Sequence, residues 1–402
     1  VFLMKDSHKM TRNELRSSFI LASVYALRML GMFLILPIFA VYAANLDAMP
    51  TSFQIGLALG IYGLTQAIFQ IPFGMSSDYF GRKKVIYFGL LLFIIGSLIA
   101  GLSSSIDGII LGRSIQGAGA ISAVLTALLS DITREEQRTK GMAIIGGSIG
   151  LTFALSLVLS PWLNKLIGVD GIFILMAILS ICAFLIVYFF IDEPLAPKEK
   201  SFSSKVEFVN ILKNIDLFRM NFGIFVLHAV QISMFMIIPI YLIDQGGISL
   251  NNHWNIYLPV LIISFLCIIP VIIYSEKFKK SKITFLIAII TLLMAQLIFI
   301  YFSGSLAGII SGLLIYFIGF NYLEASLPSL VSKIAPINKK GLALGVYNTY
   351  QSLGIFVGGA LGGLVTKLFG YDASFIFCIA LIFIWLILSS NMKVPQQKKL
   401  KN

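Results

Sequence analysis

Twelve apolar segments follow one another along the chain, and they constrain its fold more than any other feature. Each is about 20 residues long or slightly longer, which is the length a tilted helix needs to cross roughly 30 Å of hydrocarbon. The sequence therefore predicts an all-α polytopic membrane protein with twelve transmembrane helices, over residues 18–44, 53–76, 84–102, 106–130, 140–167, 171–191, 218–243, 252–275, 283–302, 305–331, 341–367 and 371–391.

The charged residues predict how these helices are oriented. A net charge of +12 would suit a protein that binds nucleic acid, but 58% of the residues are hydrophobic and only 12% are charged. Such a chain has to expose apolar surface, so its predicted partner is membrane lipid and not nucleic acid. Lys and Arg lie almost entirely at the two termini and in every second connection; the exceptions are Arg28, Arg113, Lys165 and Lys367. By the positive-inside rule, we expect both termini in the cytoplasm and the chain in a bacterial inner (plasma) membrane.

The chain also divides into two similar halves. Residues 128–147 match residues 330–347 at an offset of about 200, as expected for two pseudo-symmetric six-helix bundles of a transporter. Between the halves, apolar residues recur at helical spacing and predict a short amphipathic helix: Phe208, Ile211, Leu212 and Ile215. The predicted order is a cytoplasmic N-terminal segment, the N-terminal bundle, the linker with its amphipathic helix, the C-terminal bundle and a cytoplasmic tail, at residues 1–17, 18–191, 192–217, 218–391 and 392–402.

Four ionisable residues stand deep inside the apolar segments. They are Arg28 on span 1, Arg113 on span 4, His228 on span 7 and Glu324 on span 10. Ionisable groups inside a membrane cost free energy and by default mark a functional site. The alternative is that each is a buried structural partner that holds helices together. For Glu324, the only acid deep in a span, we favour function; for the other three both interpretations remain open.

Polar amides and small residues inside the spans give weaker signals. Six amides could contact a substrate or could bond across helices: Gln66, Gln70, Gln116, Gln231, Asn321 and Gln351. Glycines at helical spacing on spans 5 and 11 predict close helix packing: Gly146, Gly147, Gly150, Gly354, Gly358, Gly359, Gly362 and Gly363.

The sequence carries no signature of an enzyme. It lacks the G-x-x-x-x-G-K-[ST] phosphate loop and the H-E-x-x-H zinc motif, and its three cysteines are scattered among different spans. We therefore expect no catalytic residue, no metal and no cofactor, with the proton gradient as the energy source.

Two motifs identify a family resemblance. G-M-S-S-D-Y-F-G-R-K (74–83), between spans 2 and 3, resembles motif A of the major facilitator superfamily, and R-S-I-Q-G-A-G-A (113–120) on span 4 resembles its motif B. The matching residues are Gly74, Asp78, Gly81, Arg82 and Lys83 in motif A, and Arg113, Gln116, Gly117, Gly119 and Ala120 in motif B. Three further stretches (27–37, 60–74 and 321–333) resemble the YajR-type members of the drug/proton antiporter branch.

The resemblance implies a role for each motif A residue. Spans 1, 4, 7 and 10 would line a central cavity, and motif A would close the cytoplasmic side when the cavity opens outward. Asp78 would lie by the N-terminus of span 11, and Arg82 would pair with Asp131. Gly74 would let span 2 approach span 11, Gly81 would let the loop turn sharply, and Lys83 would anchor to the anionic leaflet.

Two departures from the family pattern bear on the mechanism. Residue 79 is Tyr where motif A usually has Arg, so one contact of the motif is lost or replaced. Motif C of the antiporters is only partial on span 5, where Ser160 and Pro161 stand for Gly-Pro and no Gly-Gly follows.

The sequence thus predicts a secondary active transporter, expected to export a small organic molecule or drug in exchange for protons by alternating access. Glu324 would take up the proton, with His228 sharing it, and Arg28 and Arg113 would line the cavity. Gln116, Gln231 and Asn321 are the predicted substrate contacts. The partners would be lipid, protons and a small-molecule substrate, and the protein would act as a monomer. The alternatives are a uniporter or symporter, a non-transporting sensor on the same fold and, last, a membrane enzyme.

Overall fold

Most of the residues that the computed structural model describes are helical; the described residues are 10–46, 49–134, 137–191, 205–278, 280–336 and 339–392. The helices of the first half are α1 Arg12–Ile35, α2 Phe39–Ala44, α3 Ser52–Phe80, α4 Arg82–Leu102, α5 Ile106–Ala118, α6 Ser122–Ile132 and α7 Arg138–Phe190. Those that follow are α8 Lys205–Lys213, α9 Ile215–Phe235, α10 Ile238–Asp244, α11 Trp254–Lys277, α12 Ser281–Phe302, α13 Leu306–Ile334, α14 Lys340–Phe369 and α15 Tyr371–Ser390.

Twelve membrane spans form two six-helix bundles, as predicted. Eleven stretches of helix within the described residues are long and apolar enough to cross a bilayer, and one of them, in α7, is a double span. Gly168 divides α7 with non-helical angles (φ 68°, ψ 177°), and Gly370 separates α14 from α15 with nearly the same ones (φ 86°, ψ 178°). The two halves therefore turn with the same backbone geometry at corresponding glycines.

The first span of each half is broken near its far end. The first half breaks at residues 36–38, between α1 and α2, and the second at residues 236–237, between α9 and α10. Pro37 lies in the first break, and Pro239 is the second residue of α10, just after the other break. Proline interrupts a helix because it cannot donate a hydrogen bond to the preceding turn. Ser160, from the partial motif C, donates to the Leu34 carbonyl beside the first break. A polar side chain thus satisfies backbone that a broken helix exposes inside the membrane.

The chain forms two compact units. One contains residues 1–50 and 61–201; the other contains residues 51–60, the first part of α3, together with residues 202–402. The predicted domain limits remain a prediction, and residues 192–204 of the predicted linker lie outside the described residues. Helix α8 contains Phe208, Ile211 and Leu212 of the expected amphipathic helix, whereas Ile215 is the first residue of α9, because Asn214 caps that helix. The location of α8 on the membrane surface remains a prediction.

Glycines bring α14 into backbone contact with α9, as the small-residue pattern predicts. A Cβ on Gly354 would lie 2.2 Å from the Phe225 carbonyl oxygen, and one on Gly358 would lie 2.3 Å from that of Ala229. The prediction is wrong for span 5: a Cβ on any of three glycines of α7 would meet no described atom within 4 Å, namely Gly146, Gly147 and Gly150. These three positions face open space, where a glycine is not needed for packing.

Candidate functional site

A single arginine ties together the end of α3 and the end of α6. Gly81 adopts φ 97°, a conformation that favours glycine, and so turns the chain directly into Arg82 at the start of α4. The Arg82 guanidinium donates from Nε to Asp131 Oδ2 at 2.9 Å and also binds Asp78 and Ser77. We call Ser77, Asp78, Arg82 and Asp131 the Arg82 clamp. The pairing predicted between Arg82 and Asp131 is present.

The other motif A residues lie close to the clamp. Lys83 donates from Nζ to the Ile191 carbonyl oxygen at 2.7 Å, at the end of α7. A Cβ on Gly74 would meet Ala123 at 3.9 Å, an ordinary van der Waals distance. The Asp78 side chain is 46% exposed even though it binds Arg82. The contacts expected from Gly74 and Asp78 with span 11 remain predictions.

Arg28 is buried in the first unit between spans 1, 2 and 4. Its guanidinium donates to three neutral acceptors: Ser122 Oγ at 2.8 Å, Gln66 Oε1 at 3.3 Å and the Gly119 carbonyl oxygen at 3.3 Å. The rings of Tyr62 and Phe93 lie 5.8 and 5.9 Å from its Cζ atom, in the range of cation–π contact. The side chain thus helps to hold this unit together.

Motif B packs span 4 against its neighbours. Arg113 donates to Gln116 Oε1 at 3.1 Å, and its Cζ lies 5.0 Å from the centre of the Tyr62 ring. Gln116 in turn donates to Ser97 Oγ at 2.8 Å. A Cβ on Gly117 would lie 2.2 Å from the Tyr62 carbonyl oxygen, so only glycine fits where α5 meets α3.

His228 binds two groups in the second unit, on α9 and α14. Its Nδ1 lies 3.3 Å from the Ile224 carbonyl oxygen, and its Nε2 lies 2.8 Å from Gln351 Nε2. A carbonyl only accepts, so Nδ1 carries the hydrogen; an amide nitrogen only donates, so Nε2 accepts. The hydrogen bonds therefore assign the neutral Nδ1–H form to His228. A second proton on Nε2 would require the Gln351 amide to turn.

Glu324 lies on α13, among buried polar groups that have no partner. Its Oε2 atom is buried and forms no hydrogen bond within the described part of the chain. The hydroxyls of Tyr316 on α13 and Tyr347 on α14 are likewise buried and form none with any described residue. Such a group can bind a proton or a polar ligand without first breaking other bonds.

Comparisons with known proteins agree with the two motifs. The family model described as Major Facilitator Superfamily matches residues 21–359 and 324–401. The inner membrane transport protein YajR of Escherichia coli (strain K12) is 41% identical over 392 residues, covering 97% of this chain and 86% of that protein. The chain belongs to the major facilitator superfamily. More distantly, multidrug resistance protein 2 of Bacillus subtilis (strain 168) is 27% identical over 380 residues, covering 90% of this chain and 91% of that protein.

The superfamily fold is also found by comparison with solved structures. The crystal structure of a bacterial homolog of the human lysosomal transporter Spinster, in its inward-facing and occupied conformation, superposes with a TM-score of 0.74. The match covers 92% of this chain and 95% of that one at 14% identity, so the likeness concerns the fold alone. The family model and the 41% identical inner membrane transport protein make this protein a multi-pass superfamily transporter of the inner membrane.

The three predicted substrate contacts have different surroundings in this superfamily member. Gln116 is fully buried, and its amide is engaged by Arg113 and Ser97, which favours a packing role over substrate contact. Asn321 donates to Ser264 Oγ at 3.1 Å. Gln231 is buried on α9. Contact of Gln231 and Asn321 with a substrate remains a prediction.

Sequence reasoning missed a pair of tyrosine–aspartate contacts that recur in both halves. Tyr42 donates its hydroxyl to Asp170 Oδ1 at 2.6 Å, joining α2 to α7. Tyr241 donates to Asp372 Oδ1 at 3.3 Å, joining α10 to α15. Each contact links the short helix after a broken first span to the start of the sixth span of the same half. The offset of about 200 residues between corresponding members was the available signal.

Proposed function

We propose that this transporter is a proton-coupled antiporter that exports a small organic molecule or drug by alternating access. The observation that carries the proposal is Glu324, a carboxyl deep in span 10 with a buried oxygen that bonds to none of the described residues. An ionised carboxylate in such a place is costly, and protonation removes the cost. Uptake and release of a proton at Glu324 therefore changes the relative free energies of the two states of the transporter.

The membrane potential adds to this bias. Moving one elementary charge across 100 mV changes the free energy by about 2.3 kcal/mol, which is enough to shift a two-state equilibrium substantially. The resemblance to the drug/proton antiporter branch and the similarity to a multidrug resistance protein support export as the direction. Both termini would lie in the cytoplasm, and the protein would act as a monomer without a cofactor.

His228 is less suited than Glu324 to carry the proton. Both of its ring nitrogens are occupied in the neutral form, and protonation would break the bond from Gln351. Glu324 offers a buried Oε2 atom that accepts no hydrogen bond from any described residue. We therefore assign the proton to Glu324 first, with His228 and Gln351 responding through their shared hydrogen bond.

Replacing Glu324 should abolish the coupling. In proteoliposomes that contain a pH-sensitive dye, we expect a ligand selected by a thermal-shift screen to elicit proton movement with the wild-type protein, because exchange is obligatory. Glu324→Gln keeps the size of the side chain and cannot lose a proton, so its proton signal should fall to that of protein-free liposomes. Ligand counterflow without a pH gradient should persist. Glu324→Asp should retain part of the signal.

The matched control is Asp107→Asn, which removes one exposed carboxylate near the start of span 4. This variant should keep the proton signal. The proposal fails if Glu324→Gln exchanges protons at the wild-type rate. Counterflow without proton movement in the wild-type protein would indicate a uniporter, and ligand binding without any flux would indicate a sensor.

A further inference from the structure

Span 4 is two helices, although no proline interrupts it. Helix α5 ends at Ala118, and α6 begins at Ser122. Between them Gly119 N–H bonds to the Gln116 carbonyl at 3.2 Å, and Ile121 N–H bonds to the Gly119 carbonyl at 2.8 Å. These bonds span three and two residues, so the regular i to i−4 pattern is interrupted here. The prediction of one continuous helix over residues 106–130 is therefore wrong at residues 119–121.

One side chain from another helix binds both sides of this break. Arg28 Nη2 donates to the carbonyl oxygen of Gly119, the residue that caps α5, at 3.3 Å. Arg28 Nη1 donates to Ser122 Oγ, on the first residue after the break, at 2.8 Å. The guanidinium is planar and rigid, so it fixes the two acceptors at a set separation. Arg28 is only 1% exposed, and it therefore binds the break with little competition from water.

The membrane environment gives this contact its importance. Non-helical backbone is tolerated at membrane depth only where protein groups or water satisfy its polar atoms. Arg28 supplies such donors, while Tyr62 and Phe93 enclose its charge with their rings. Without the guanidinium, closing the break into a regular helix becomes the better way to satisfy the same backbone.

The second half provides an internal comparison. Gly319 occupies the position about 200 residues after Gly119, yet α13 runs unbroken from Leu306 to Ile334. Both glycines are required by packing, because a Cβ would lie 2.3 Å from the Gly89 carbonyl at position 119 and 2.9 Å from that of Ala288 at position 319. Glycine alone therefore does not break the span.

The two halves differ at the residue that would reach the break. The counterpart of Arg28 is His228, which binds Ile224 on its own helix and Gln351 on α14. The half with an arginine at this position has the broken span, and the half with a histidine has the continuous one. This contrast favours Arg28, and not Gly119 alone, as the residue that maintains the break in span 4.

Helix α6, which follows the break, also carries one residue of the Arg82 clamp, Asp131. Helix α6 is held by Arg28 at its first residue, Ser122, and by Arg82 near its last turn, through Asp131. We propose that Arg28 is a positioning residue that keeps span 4 in two pieces, so that α6 turns as a separate rigid segment when the Arg82 clamp opens. The inference rests on the proposed alternating-access cycle.

The experiment measures distances within one span of the full-length protein in lipid nanodiscs, by double electron–electron resonance. In a background without Cys182, Cys267 and Cys378, spin labels at Leu111 and Thr126 flank the break. Labels at Ser311 and Ser326 form the matched pair on α13. A straight helix separates residues 15 positions apart by about 22 Å along its axis. The α13 pair should give this narrow distance, and the α5–α6 pair a different and broader distribution.

Changing Arg28 should alter only the pair across the break. With Arg28→Leu we expect the Leu111–Thr126 distribution to narrow and move to the value of the α13 pair, because span 4 closes into one helix. Arg28→Lys should also fail to give the wild-type distribution, since an ammonium group lacks the rigid fork that spans the two acceptors. The Ser311–Ser326 distance should stay unchanged in both variants and reports that the protein is folded.

Ser122→Ala keeps the test decisive if Arg28→Leu fails to fold, because it removes only one acceptor of the guanidinium. Its distribution should lie between those of the wild type and the straight helix. If Arg28→Leu folds and its Leu111–Thr126 distribution is that of the wild type, the proposal is overturned. If Arg28→Leu does not fold, a wild-type distribution in Ser122→Ala overturns it. The measurement needs no substrate and no proton gradient, so its outcome is independent of the Glu324 test.

Discussion

Gly358→Ala will lower the free energy of unfolding by roughly 2–3 kcal/mol, because the added methyl group overlaps backbone that cannot move easily. Its Cβ would lie 2.3 Å from the Ala229 carbonyl oxygen and 2.7 Å from the Ala229 Cα. Helix propensity alone predicts the opposite sign, since alanine favours a helix by about 1 kcal/mol over glycine. The unfolding midpoint in detergent, measured by heating and by titration with a denaturing detergent, will show which effect dominates.

A control on the same helix separates the two effects. A Cβ on Gly345 of α14 would have no described atom within 4 Å, so Gly345→Ala gains helix propensity without overlap. We expect this variant to unfold at or slightly above the wild-type temperature. Should Gly358→Ala behave like Gly345→Ala, the contact between α14 and α9 is looser than the structure has it, and the small residues of span 11 need another explanation.

The helices themselves could be predicted because hydrophobic length is a local property. Each apolar segment is long enough to require a helix in hydrocarbon, whatever its neighbours are. The pairing of Arg82 with Asp131 was predicted from the motif A resemblance, and Gly81 adopts a positive φ where a sharp turn was expected. These predictions held because each depends on a short stretch of chain or on a family pattern.

Tertiary contacts explain what the sequence did not reveal. The Gly119 carbonyl in the break of span 4 accepts a hydrogen bond from Arg28 on another helix, and no proline marks the break. The glycines of α7 and α14 have similar spacing, but only those of α14 meet a neighbouring backbone. Small residues at helical spacing are compatible with a packed face and with an open one, so the pattern alone cannot distinguish them.

The sequence predicted which residues belong to the candidate site, but it predicted the role of only some of them. Burial cost singled out Glu324, and its Oε2 atom, which bonds to none of the described residues, is compatible with that choice. The same reasoning left Arg28 and Gln116 undecided, because a cation or an amide in a membrane is equally suited to binding a substrate and to satisfying other polar groups. Their partners, the Gly119 carbonyl and Ser97, became apparent only from the structure.

Arg82→Gln will destabilise the protein by about 3–5 kcal/mol, because it removes the cation that neutralises the largely buried Asp131 carboxylate. The side chains of Arg82 and Asp131 are only 7% and 10% exposed, so water compensates little for the loss of this ion pair. Lys84→Gln removes the same charge from an exposed side chain two residues away and should cost less than about 1 kcal/mol. Unfolding titrations of both variants in the same detergent will measure these two changes in the free energy of unfolding.

A double-mutant cycle assigns the loss to the clamp and not to charge in general. Asp131→Asn removes the carboxylate on α6, and the double variant Arg82→Gln/Asp131→Asn should be more stable than the sum of the single effects predicts, by roughly 1–3 kcal/mol. The double variant gains stability relative to this sum because Asp131→Asn removes the buried carboxylate that Arg82→Gln leaves without its cation. Additive effects would mean that Arg82 and Asp131 do not stabilise each other, and α6 would then be held near its last turn by something other than motif A.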